Sequence, residues 1–187
     1  MQKLIVFNHV SLDGFFVDGN GRMDWAKMGQ RDAEWDAFVA ENASGDGALV
    51  FGRVTYELMN SYWPTPMARQ HDAIVADRMN DMKKIVFSRT LDNATWNNTT
   101  VIKDDLAGAM RKMKQESPIG LTILGSGTII SQLAPEGLID EYQMVMNPVI
   151  LGAGRTMFDG VKRRLDLKLD HWRAFKNGCV FLKYVAA

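Results

Sequence analysis

The sequence predicts an α/β fold of three layers, α/β/α, in which a mostly parallel central sheet ends in an antiparallel C-terminal hairpin. Three observations predict it. Short β-rich apolar runs bounded by turn residues alternate with helix-like stretches, as in successive βαβ units. One of these units, around Gly125-Ser126-Gly127-Thr128, is a complete strand, glycine turn and helix. From Leu165 onward the tail alternates in two runs across Asn177-Gly178, and Asn-Gly between such runs signals a hairpin.

Taken in order, Leu4 to Val10 reads as a buried first strand. Asp13-Gly14, Asp18-Gly19 and Asn20-Gly21 then mark a long turn-rich loop. Ala33 to Ala43 reads as a helix with Trp35, Phe38 and Val39 on one face. Ala48 to Phe51 is a strand that runs into a short helix at Gly52 to Glu57, and a loop follows at Trp63-Pro64-Thr65-Pro66. Met67 to Met82 is helix-like, Lys84 to Phe87 a strand, and Thr99 to Ile102 a brief extended run. The helix from about Asp104 to Gln115 has acidic residues where its positive end favours them. Ile119 to Leu124 is a strongly apolar strand, Ile129 to Leu133 a helix, and Tyr142 to Val149 a further strand.

Residues 1–187 contain no Pro-, Ser- or Gly-rich linker, so they read as a single domain with a sizeable core. The 22 basic residues equal the 22 acidic ones, and no long block of either sign argues for a nucleic-acid or membrane arm. Partners of those two kinds are therefore not expected. One cysteine, Cys179, excludes an internal disulfide, and without clustered Cys and His no metal site is expected. The apolar stretch Leu4 to Phe7 is too short for a leader core or a membrane span, and a cytoplasmic location is the expectation.

Candidate chemistry lies where strands end. Gly125 to Thr128 lets backbone N–H groups approach a phosphate while the following helix presents its positive end, although the same tetrapeptide also suits a plain tight turn. Gly52-Arg53-Val54-Thr55 offers close backbone approach, a cation and a hydroxyl directly after a strand. Ser88-Arg89 stands after another. In open parallel sheets ligands bind beyond the carboxyl ends of the strands, so the three ends can converge on one phosphorylated ligand. The plain alternative makes Arg53 and Arg89 solvated charges and Ser88 a turn cap.

In their order these motifs resemble the dihydrofolate reductase superfamily, and more closely the C-terminal reductase domain of the bifunctional deaminase/reductase of riboflavin synthesis and its stand-alone relatives. The resemblance rests on Val10-Ser11-Leu12-Asp13-Gly14, Val50 to Glu57, Val86-Phe87-Ser88-Arg89 and Leu124 to Thr128. Gly137 to Glu141 and the stretch Pro148 to Gly154 that ends in Phe158 complete it. It implies an NADPH-dependent reductase acting on a small heterocycle of the pteridine or ribosylaminopyrimidine type. It further implies that Arg53, Thr55, Ser88 and Arg89, beside Gly52, meet the adenosine half with its 2′-phosphate, and that Gly125, Ser126, Gly127 and Thr128 hold the pyrophosphate. The nicotinamide is then expected near His9 and Val10. Where the folate enzymes have Gly-Gly, this chain has Gly125-Ser126-Gly127.

The resemblance also points to a substrate carboxylate on the helix after the first loop, where this chain offers Asp32, Glu34 and Asp36. Alignment on Gly52 favours Asp36, alignment on Phe38 favours Glu34, and a solvated helix face accounts for all three equally well. Asp13 is a rival substrate contact or simply a turn residue. A homodimer is expected from the pairing of relatives. The competing class is an NADPH-binding sensor or orphan scaffold without turnover, because a fold does not fix a function.

Overall fold

The computed structural model describes residues 1–26, 33–45 and 47–187, so Asp32 lies outside the described residues. β1 (Leu4–Ser11) alternates buried and half-buried positions, as a strand covered on both faces does. β2 (Phe15–Asp18) follows, and then a single 3₁₀ turn at Asp24–Ala26. Next come α1 (Ala33–Ser44), β3 (Gly47–Gly52), α2 (Arg53–Tyr62), α3 (Pro66–His71), α4 (Ala73–Asp81) and β4 (Lys83–Phe87). The chain continues through β5 (Thr99–Ile102), α5 (Leu106–Glu116), β6 (Gly120–Leu124), α6 (Gly127–Leu133) and β7 (Glu141–Asn147). It closes with β8 (Gly154–Thr156), β9 (Leu167–Ala174) and β10 (Val180–Ala186).

The main sheet has eight strands in the order β5-β4-β3-β6-β1-β7-β10-β9. The pairs from β5 to β7 are parallel, and β10 runs antiparallel to both β7 and β9. The C-terminal hairpin turns at Asn177-Gly178 and supplies the antiparallel border, as its turn chemistry predicts. α5 and α6 cover one face, packing on Leu4, Val6, Val50, Leu121 and Ile123. α1, α2 and α4 cover the other, where Trp35 meets Phe175 and Phe181 while Tyr56 and Met79 meet Phe51 and Val86. Side chains on successive residues of β1 and β3 point to opposite faces, which gives the three layers.

Two expectations are corrected. Met67 to Met82 is not one helix: Asp72 is extended at φ −157°, and its carboxylate accepts the Val75 N–H at 3.1 Å to start α4 afresh. The loop after β1 is not wholly irregular, since β2 pairs antiparallel with β8 in a separate two-stranded sheet. Phe16, Val17 and Met157 pack this ribbon into the core beside α6.

A buried cation reinforces the far face. Lys84 is 1 % exposed, its Nζ donates to Asn80 O at 2.8 Å and Met82 O at 2.7 Å, and it lies 4.4 Å from the centre of the Trp96 ring. Burial lowers its pKa to about 8.

Candidate nucleotide cleft

Parallel pairing sets the level of the strand ends. Gly52 stands opposite Phe87 across β3 and β4, and Val50 opposite Ile123 across β3 and β6. The residues that follow these strands therefore leave the sheet at one level, and a cleft of about 480 Å³ opens there. Gly52, Arg53 and Thr55, Ser88 and Arg89, and Ser126, Gly127 and Thr128 all line it. The three strand ends singled out in the sequence thus line one cleft.

Two of the three junctions are bonded to each other. Ser126 has left-handed backbone, φ 57°, and is nearly fully buried. Its hydroxyl accepts the Gly52 N–H at 2.8 Å, while its own N–H donates to Thr55 Oγ1 at 3.1 Å. Gly125, also at positive φ, donates its N–H to Asn8 Oδ1 at 2.7 Å, and a Cβ there would stand 2.8 Å from Thr55 Cγ2. Gly125 therefore builds the turn from behind rather than forming the cleft wall, and two N–H groups of the tetrapeptide are spent inside the protein. The N–H groups of Gly127 and Thr128 open α6, where no preceding helical carbonyl can accept them, and they remain for an anion.

The third junction is a turn with a cap. Ser88 Oγ accepts the Thr90 and Leu91 N–H groups at 3.2 and 3.0 Å, as the plain alternative for this residue requires, and lies 3.5 Å from the Thr90 hydroxyl. Arg53 is paired with Glu57 one turn on, at 3.0 Å, and both are exposed. Among the described residues Arg89 has no carboxylate partner. Sequence reasoning missed Arg155, Lys103 and Phe16, which also line the cleft. Lys103 follows a strand end and was legible on that ground, whereas Phe16 and Arg155 arrive through the β2–β8 pairing.

The residues expected at the acceptor half do not line this cleft. His9 and Val10 sit at the end of β1 and do not form the wall of this cleft. Val10 is buried in the core, and His9 faces the opposite side of the sheet, 6.4 Å from the Trp35 ring. Burial lowers the His9 pKa to about 4, so at neutral pH the ring is uncharged. Asp13 closes a loop: its carboxylate accepts Ser11 Oγ at 2.6 Å, Gly152 N at 2.8 Å and Leu151 N at 3.1 Å. The Ser11 hydroxyl, ahead of the two amides, holds its carboxyl below the usual range. Glu34 pairs with Arg173 at 3.1 Å, and Asp36 is half-buried one turn into α1. Neither lines the cleft. Trp35 and Tyr56 are core residues, 1 % and 2 % exposed, and Cys179 is buried, with its thiol pKa raised by that burial.

Among the described residues no group of three or more His, Cys, Asp or Glu is placed to hold a metal ion, and no helix is long and apolar enough to cross a membrane.

Sheet order and hairpin border define a three-layer α/β domain of the dihydrofolate reductase-like fold, with a cleft across three of its strand ends. The chain belongs to the family of the RibD C-terminal domain, whose model matches residues 2–181. It is 28% identical over 183 residues to the uncharacterized protein YyaP of Bacillus subtilis (strain 168), covering 98% of this chain and 94% of that one. Its fold is that of a protein of Shewanella sp. PV-4 named for riboflavin biosynthesis, with a TM-score of 0.78, 22% identity and coverage of 100% and 99%. It also matches the diaminohydroxyphosphoribosylaminopyrimidine deaminase/5-amino-6-(5-phosphoribosylamino)uracil reductase of Thermotoga maritima, with a TM-score of 0.68 and 14% identity. That match covers 100% of this chain and 57% of the other.

Proposed function

We propose that this chain is an NADPH-dependent reductase that passes a hydride to a small heterocycle of the pteridine or ribosylaminopyrimidine type. The observation that carries the reading is the meeting of Gly52 to Thr55, Ser88-Arg89 and Ser126 to Thr128 on one cleft at the carboxyl ends of parallel strands. The residues present fit such a nucleotide. Among the described residues Arg89 is an exposed cation without a carboxylate partner, the N–H groups of Gly127 and Thr128 have no helical acceptor, and the Ser88 and Thr55 hydroxyls can donate to a ribose or phosphate.

When bound, NADPH would supply the hydride, so the protein's task is position and exclusion of water. Arg53 and Arg89 hold the adenosine end, Gly127 and Thr128 the diphosphate. The acceptor then lies toward the end of β1, where Glu34 or Asp36 fixes its polar edge. His9, kept neutral by burial, sits near that end of β1 without lining the cleft. The reading extends to a cytoplasmic homodimer, and sedimentation of the purified chain tests the pairing.

Titration with NADPH and NADH, followed by single-turnover loss of reduced-nicotinamide absorbance against a panel of pteridines, ribosylaminopyrimidines and quinones, tests the proposal. Saturable NADPH binding with oxidation by a heterocycle supports it. Binding with no oxidation by any acceptor makes the protein a sensor, and no binding removes the cofactor.

A further inference from the structure

The connection between β4 and β5 has no helix. The two strands are parallel, so residues 88–98 carry the chain from the carboxyl end of one back to the amino end of the other, and they do so in irregular backbone. A helix would satisfy its own peptide groups and cover the sheet; this segment relies on neighbouring side chains for the first and on its own for the second. Leu91, Ala94 and Trp96 do the covering, packed with Phe51 and Met79 on the face of α2 and α4.

Trp96 is the anchor of the segment. It is buried, and its ring N–H donates to Asn80 Oδ1 at 2.7 Å. Its backbone N–H donates to the Tyr56 hydroxyl at 3.0 Å, a buried bond. One residue earlier, Thr95 Oγ1 accepts from Asn60 Nδ2, also at 3.0 Å. Tyr56 and Asn60 are one turn apart on α2, so this helix grips the segment at two successive residues.

Both partners in that grip begin at the cleft. The first turn of α2 carries Arg53 and Thr55, and the segment opens with Ser88 and Arg89. The bonds through Ser126 join the turns after β3 and β6, whereas those through Tyr56 and Asn60 join α2 to the connection that follows β4.

We infer that Tyr56 and Asn60 are positioning residues of the cleft: by holding Trp96 and Thr95 they fix the spacing between its Arg53 side and its Arg89 side, and with it the preference for the nucleotide that carries an extra phosphate. Neither residue lines the cleft. The inference rests on the cofactor reading above. With the grip released, residues 88–98 sample more positions, so a contact from Arg89 weakens, while contacts made by the joined turns after β3 and β6 stay as they are.

The test uses Tyr56→Phe, Asn60→Ala and the double variant, titrated with NADPH and NADH, with hydrogen exchange of residues 88–98 followed by mass spectrometry. Tyr56→Phe keeps the ring in the core, and Asn60→Ala removes a bond at the surface, so a variant that folds is in hand even if the buried change is costly. Loss of one hydrogen bond predicts NADPH affinity lower by about threefold to tenfold in each single variant and lower again in the double, with NADH unchanged and exchange in 88–98 faster. A purely structural role lowers the unfolding midpoint and leaves the ratio of NADPH to NADH affinity at its wild-type value. That outcome, or equal losses for the two nucleotides, in a protein whose wild type binds NADPH, overturns this inference alone. A wild-type chain that binds neither nucleotide overturns the cofactor reading and this inference with it.

Discussion

The Ser126 hydroxyl accepts the Gly52 N–H at 2.8 Å, and through that bond the turn after β6 and the turn after β3 become one unit. The Ser126 N–H returns the favour to Thr55 Oγ1 at 3.1 Å, so neither turn can shift without breaking the other. A nucleotide that touches both therefore meets a surface already arranged.

Replacing Ser126 with Ala leaves a buried Gly52 N–H unpaired and keeps an unfavourable left-handed backbone, a loss of about 1 to 3 kcal/mol. Ser126→Gly loses the same bond but relieves the backbone, and should be the milder variant. Gly125→Ala drives a methyl into Thr55, whereas Gly127→Ala meets only ordinary contacts at 3.6 Å. Denaturant midpoints should rank the four with Gly127→Ala near wild type; an unaffected Gly125→Ala would show that the two turns are not braced as described.

Arg89→Ala should weaken NADPH about tenfold or more while leaving NADH nearly unchanged, because only NADPH offers the extra phosphate. Arg53→Ala should do less, since its guanidinium already faces Glu57. Isothermal titration with the two nucleotides decides it, and equal losses for both would remove these arginines from the 2′-phosphate.

Glu34→Gln breaks a half-buried ion pair with Arg173 and should cost about 0.2 to 1 kcal/mol of stability. Asp36→Asn and Glu34→Gln should both bind NADPH as the wild type does but differ in turnover, the lower rate marking the carboxylate that holds the acceptor. Two fully active variants would take both out of the site.

His9 titrates about 4 in the folded chain against about 6.5 in an unfolded one. The unfolded state therefore binds more protons between those values, and stability falls as pH drops through that window. His9→Gln should flatten this acid-side loss when unfolding is followed from pH 7 to pH 4. A wild-type stability that is level across the window would mean that the ring titrates normally.

The layers were legible because each strand announces itself over several residues. Leu4 to Val10, Ala48 to Phe51 and Ile119 to Leu124 are dense in β-branched and apolar side chains, and Asn177-Gly178 dictates a hairpin by its own backbone preference. The cleft was legible because ligand-binding turns follow such strands. What escaped notice is built from distant partners. β2 and β8 span four and three residues, too few to show a period, and pair across most of the chain. Arg155 and Phe16 reach the cleft only through that pairing. Asp72 looked like one more polar position on a helix, and only its N-cap geometry reveals the break. Asp13 carried a turn signature, which its bonds to Leu151 and Gly152 explain without any ligand.

The ammonium of Lys84, held by two carbonyls and an indole, has chemical consequences of its own. An amine held there is out of reach of acylating reagents as long as the fold is intact, even though its proton is looser than that of a surface lysine. Mass-spectrometric mapping after brief acetylation should find this side chain unmodified in the native chain and modified on denaturation, which makes one residue a gauge of whether any variant above still closes its core.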